Sequence, residues 1–241
     1  MEGENKREKQ VTETHSEGRS LEDVPNGRAL PSDDNQTGET AISEMDVMDV
    51  QRAGLYGLLA RVLGAPMSDE TLEIVRALEK NNTDNDTELG KALTTLGTLA
   101  GRTPRAGAEE EYSALFFGMG AGGEMHPYAS QYLTGFIYDK PLAKLRRDMD
   151  EIGVAASGSS SEPEDHIAYL CEIMHGLITG AFDEPANLEA QQKFYETHMA
   201  SWAGQFFTDL EGAESAALYM PVGTIGRLFL AIEAEAFEMA A

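Results

Sequence analysis

Between positions 159 and 176 the chain reads SSSEPEDHIAYLCEIMHG, which gathers Glu162, Glu164 and Asp165 beside His166. Carboxylates next to an imidazole can do two kinds of work here. They can hold a cationic group, an arginine above all, because a carboxylate matches the paired N–H groups of a guanidinium. They can also serve their own backbone. Ser161 and Glu164 have capping-box spacing, Pro163 suits a first turn, and acids suit the positive end of a helix dipole. The backbone account leaves His166 over, because that dipole disfavours an imidazolium. A neutral His166, packed on an apolar edge or accepting a hydrogen bond, is expected. Three acids at one loop also repel each other unless a cation comes near, so both uses stay open.

Other spacings carry less. GMGAGGE (118–124) contains Gly118, Gly120 and Gly123 in a G-x-G-x-x-G order. A dinucleotide fingerprint needs a strand before it and a helix directly after. Here EEEYSALFF precedes it with Tyr112, Leu115 and Phe116 at helical spacing, and Pro127 follows, so the stretch reads as a helix stop and a loop. Glu172 and His175 form a Glu-x-x-His, the unit that di-iron bundles use twice. The sequence holds no second copy, so neither a metal nor another cofactor is expected. Cys171 shares an apolar stripe with Ile167, Leu170, Met174 and Ile178 and reads as a buried small hydrophobe, not a nucleophile. No catalytic residue is assigned.

The elements that must hold these residues are helices. Apolar residues recur at helical spacing from Ser43, an N-cap candidate, with Val47, Val50, Leu58, Val62 and Leu63 on one side. Further helices are expected at about 68–80, 86–100, 108–117, 141–152, 162–180, 185–210 and 214–239. No pair of alternating apolar runs is joined by a hairpin dipeptide, so the fold class is all-α: a single helical bundle-like domain. Residues 1–42 are polar and charged, which predicts a disordered acidic tail, and 43–241 form the helical domain. The Gly/Ser/Ala stretch at about 152–162 reads as a flexible hinge joining two halves. The expected state is a monomer, and such a hinge leaves exchange of halves into a dimer open.

With 241 residues, 41% hydrophobic, one cysteine and a net charge of −24, the chain can bury a core. It should avoid nucleic acid and anionic membrane, since both need a basic surface. No signal peptide or spanning run is visible, and a reducing, cytoplasmic setting suits a lone cysteine.

Glu162-Pro163-Glu164-Asp165-His166 at the head of a long helix resembles the Glu-Pro-x-Asp-His signature of the TorD/DmsD/NarJ family of redox-enzyme maturation chaperones. EEEYSALFFG (109–118), HPYASQYLTG (126–135) and HMASWAGQFFTDLEGA…RLFLAIE (198–233) are similar to other stretches of that family, in its order. Pro221, where the last helix should run, and the long N-terminal tail depart from the pattern. The resemblance implies a cytoplasmic chaperone, not an enzyme. Its implied partners are the twin-arginine leader and the apo catalytic subunit of a molybdopterin-containing oxidoreductase of the DMSO reductase superfamily. It would assist cofactor insertion and assembly before export, without stable membrane association. Carried over by position, the peptide site would hold Glu162, Asp165 and His166, with Tyr128, Ser130 and Tyr132 as a second wall. His198 and Trp202 border it, although Tyr195, Met199, Trp202 and Phe206 also make a stripe that suits core packing. Two rival readings stand beside this one. One is an α-helical metal-carboxylate enzyme; the other is an acidic scaffold without leader specificity.

Overall fold

The structure is a computed structural model that describes residues 36–117, 123–154, 162–182 and 184–240, with side chains from Val47 onward. Of the disordered tail expected over 1–42, residues 1–35 lie outside the described residues, as do 118–122 of the glycine loop and 155–161 of the hinge expected over about 152–162, whereas residues 36–42 are helical.

Helix α1 spans Gln36–Gly64, α2 Asp69–Asn81, α3 Glu88–Arg102 and α4 Arg105–Tyr112, which runs on as a π-helical turn over Ser113–Phe117. Then come α5 (Ala129–Thr134), α6 (Lys140–Glu151), α7 (Ile167–Thr179), α8 (Leu188–His198), α9 (Ala203–Gly212) and α10 (Met220–Ala240). No strand occurs among the described residues, and the one isolated bridge joins Tyr128 to His166. The fold is all-α, as the sequence pattern requires.

Local chemistry accounts for several starts. Ser68 accepts from the Thr71 amide to cap α2, Thr87 from Gly90 to cap α3, and Asn187 from Ala190 to cap α8. This satisfies amides that no helical carbonyl can reach. Four expectations change. Helix α1 begins at Gln36, so Ser43 lies inside it and does not cap it. Val47 and Val50 are 54% and 70% exposed, whereas Val62 and Leu63 are buried. The helix expected over 185–210 is two helices, broken at Met199–Trp202, and α5 is a helix that the spacing did not announce. Pro221, expected to kink or delay the last helix, delays it: α10 starts at Met220 instead of about 214, and the proline falls in its first turn.

One continuous core links residues before 155 with those after 161, with Tyr56, Leu59, Phe206, Phe207 and Phe229 among its most enclosed side chains. Helix α1 lies along α7, α10 lies along α9 and α3, and α2 packs on α3. A buried polar cluster ties α1 to α10. Arg52 donates to both oxygens of Glu233 at 2.7 and 2.9 Å, Tyr56 donates to Glu233 at 3.1 Å, and Asp49 and Gln191 take the remaining guanidinium bonds. No helix among the described residues is long and apolar enough to cross a membrane.

Candidate functional site

Two backbone hydrogen bonds join the head of α5 to the head of α7: Ile167 to the Pro127 carbonyl at 2.8 Å, and Ala129 to the Asp165 carbonyl at 3.0 Å. The two segments that the sequence singled out are therefore neighbours in space. Helix α5 has Tyr128 at its N-cap, which offers no side-chain acceptor, and Asp165 supplies the acceptor from across the bridge. Its Oδ2 takes the Ser130 amide at 2.8 Å. Asp165 is fully buried, and its Oδ1 has no partner among the described residues. His166 is the true N-cap of α7, its Nδ1 accepting from the Ala168 amide at 3.1 Å. Burial pushes its imidazole down to about 4, so the neutral ring expected from the helix dipole is present. Tyr128 stands edge-on to that ring with centroids 5.3 Å apart.

The other acids face outward. Tyr128 donates its hydroxyl to Glu162, and burial together with that bond pushes the phenol up. Glu164 accepts from Arg146 Nε and a terminal nitrogen at 2.9 and 2.6 Å. Burial works against ionisation of Glu164, but Arg146 outweighs it and holds the carboxyl below its ordinary value. The capping box expected from Ser161 and Glu164 is not formed by Glu164, because α7 begins only at Ile167.

The residues expected to form one site open onto different hollows. Glu162 and His166 line a small pocket of about 230 Å³ with Tyr169, Glu172, Ala60 and Gly64. Asp165 and His198 border a cleft of about 510 Å³ between α5 and α6, whose walls carry Lys140, Lys144 and Arg147. His198 meets Asp148 at 2.9 Å, and burial lowers its imidazole although Asp148 opposes the shift. Tyr132 donates to Asp209 at 2.9 Å on a third hollow. Ser130 and Trp202 are enclosed, with Trp202 Nε1 donating to the His198 carbonyl at 2.7 Å. Tyr195, Met199 and Phe206 are core residues too. Cys171 is fully buried, and burial raises its thiol far above the ordinary value, which makes it inert.

The sequence did not point to a groove of about 960 Å³ floored by α1 and walled by α2, α3 and α7. Leu55, Leu58, Ile74, Leu78, Leu89 and Leu93 give it apolar sides, and Glu172 and His175 stand on its α7 edge. His175 Nδ1 meets the Ala53 carbonyl at 2.8 Å. The Glu-x-x-His spacing was thus a sign of one exposed helix face.

Comparison with known proteins places this architecture. Residues 82–208 match the family described as nitrate reductase delta subunit. The chaperone protein TorD of Aliivibrio fischeri is 28% identical over 181 residues, covering 68% of this chain and 84% of that protein. The TorD of Vibrio parahaemolyticus is 22% identical over 201 residues, covering 76% and 93%. A solved structure described as a redox enzyme maturation protein of Archaeoglobus fulgidus shares the fold. Its TM-score is 0.52 at 20% identity, covering 74% of this chain and 93% of that one. By the match over 82–208 the chain belongs to the nitrate reductase delta subunit family.

Proposed function

We propose that the protein is a cytoplasmic chaperone for a molybdopterin-containing oxidoreductase subunit. It binds that subunit's twin-arginine leader, or the apo subunit itself, and holds it back from export while the cofactor is inserted. Family membership and the names of the relatives support this reading. The structural observation that carries it is the pocket where Glu162 and exposed Glu172 meet beside Tyr169. Two carboxylates at one surface pocket suit a pair of guanidinium groups, and a charge-assisted hydrogen bond of this kind contributes ~1.5–3 kcal/mol. Asp165 and His166 act behind them. They fix the heads of α5 and α7 and so set where Glu162 and Tyr128 stand.

Binding is the whole of the mechanism. Carboxylates draw in and orient the arginines, and apolar surface takes the segment that follows. Calorimetry tests it with a synthetic peptide of two adjacent arginines followed by twelve alternating leucines and alanines, against the same peptide with two lysines. Arginine should be favoured by about tenfold, because its planar fork can use both oxygens of a carboxylate. Equal affinities would leave only a non-specific acidic scaffold.

A further inference from the structure

The acidic pocket and the apolar groove share Ala60 and Glu172 in their walls, so they form one trough along α1. Its chemistry changes along its length. At the Gly64 end stand Glu162, Glu172, His166 and Tyr169. Toward Gln51 the sides become Leu55, Leu58, Ile74, Leu78, Leu89 and Leu93. These leucines are partly buried against the core, and Ile74 is 40% exposed, so the walls present apolar surface that the fold itself does not cover. Val47 and Val50 continue that face of α1, four residues before Gln51 and Gly54, and both are exposed.

We propose that this trough receives the leader in one direction and as a helix. The arginines sit at the Glu162–Glu172 end, and the apolar segment runs along α1 toward Gln51 between α2 and α3. This rests on the leader reading above and adds the place, the polarity and the conformation of the bound segment.

Three observations favour it. The first is length. From Gly64 back to Gln51 the α1 floor is about 20 Å long at 1.5 Å per residue, the span of a helix of about thirteen residues. The apolar part of an export leader has roughly 7–15 residues, and an apolar helix laid in a groove is a recurring mode of recognition. The second is the floor. A Cβ built on Gly54 meets nothing within 4 Å, so the groove stands open above it, while one on Gly57 would come within 3.1 Å of the His175 ring. The third is charge. The competing cleft between α5 and α6 carries Lys140, Lys144 and Arg147 and repels a guanidinium, although Asp165 and His198 border it. Among the described residues of the trough wall the one cation is Arg61, which is turned to Glu70 at 3.4 Å. Asp84 at the far end is engaged by the Thr87 hydroxyl and amide, whereas Glu172 at the Gly64 end is exposed.

Gly54→Phe tests the proposal without disturbing the interior, since the new side chain enters open groove and phenylalanine is no worse in a helix than glycine. The probe is the arginine-led Leu/Ala peptide, with a photoreactive residue at either its arginine end or its apolar end. Circular dichroism and melting temperature confirm folding. The expected result is affinity at least tenfold weaker in Gly54→Phe and in Ile74→Glu. Cross-links from the arginine end should fall on Tyr169 and its neighbours, and those from the apolar end on Leu78 and Leu93. Wild-type binding that survives both substitutions, or cross-links that fall on α6 or in reverse order, overturns the trough while leaving the leader reading intact. A folded wild-type protein that fails to bind the peptide at all removes both.

Discussion

Two substitutions at Asp165 separate its service to the backbone from any grip on a ligand. In Asp165→Ala the Ser130 amide loses the acceptor that it meets at 2.8 Å inside the protein. A lost helix cap costs about 1 kcal/mol, and a buried amide without a partner costs ~1–3 kcal/mol. The two descriptions overlap, which gives about 2 kcal/mol in total. At ~2–4 °C per kcal/mol for a domain of this size, melting should fall by roughly 4–8 °C. Asp165→Asn keeps an oxygen toward Ser130 and forfeits only the charge at the head of α5, about 0.3–1 kcal/mol. Part of that returns, because the wild type buries an Oδ1 without a partner and a neutral amide is cheaper to enclose than a carboxylate. Melting of the Asn variant should therefore drop by less than about 3 °C. Its affinity for the arginine-led peptide should stay within about twofold of wild type, a change worth less than about 0.5 kcal/mol. Differential scanning calorimetry and isothermal titration read the two quantities. An Asn variant that melts normally yet binds tenfold more weakly would show the charge gripping the ligand. An Ala variant that melts like wild type would refute the capping account.

Four further outcomes follow from other residues. His166 is held near 4 in the folded protein, below its ordinary 6.5, so the unfolded chain binds more protons between those values. Stability is full above about pH 6.5 and falls toward pH 4 by about 3 kcal/mol, and His166→Asn, which keeps a capping side chain, should flatten that limb in urea titrations. Glu233→Ala removes two bonds of Arg52 and leaves it Asp49 and Gln191, so it should cost less than the ~3–5 kcal/mol of a fully stranded buried charge, and Arg52→Met with Glu233→Leu should recover most of the loss in the same assay. A Cβ on Gly226 meets Phe207, fully buried, at 2.2 Å, and one on Gly176 meets Phe182, 42% exposed, at 2.3 Å. Gly226→Ala should therefore cost ~1–3 kcal/mol and Gly176→Ala much less, as chemical denaturation will show. Cys171 should react with a water-soluble disulfide reagent only after unfolding.

Where a helix is started by its own residues, the sequence shows it. Ser68, Thr87 and Asn187 each stand just ahead of the amide they cap, and α2, α3 and α8 begin within about three residues of where their spacing puts them. Where the starting group is distant, the sequence is silent. Helix α5 depends on Asp165, thirty-five positions away, and nothing inside HPYASQYLTG announces it. The head of α7 misleads for the opposite reason. Pro163 and its acids are good first-turn residues, but Pro163 accepts from His166 in a turn, and the helix waits for the His166 cap. The break between α8 and α9 has neither glycine nor proline. Met199 takes φ −124° and ψ −46° at the end of α8 and is fully buried, with Trp202 and Phe206 also in the core. The candidate site follows the same division: Glu162, Asp165 and His166 were visible as a cluster, but their split between two hollows was not.

The net charge of −24 acquires a physical meaning from these same contacts. Glu111 accepts the amides of Ala217, Leu218 and Tyr219 ahead of α10, and Glu124 accepts those of Glu214 and Ser215. With Asp165, they are acids placed where a helix or turn starts without a local acceptor, and each draws together segments far apart in sequence. An acidic excess that does this cannot be read simply as a surface prepared for cations. The acids that remain for a cationic partner are those aimed at solvent beside apolar surface, Glu172 first among them. A count of charge cannot distinguish these two groups, because the distinction lies in which backbone amides stand within 3 Å of each carboxylate.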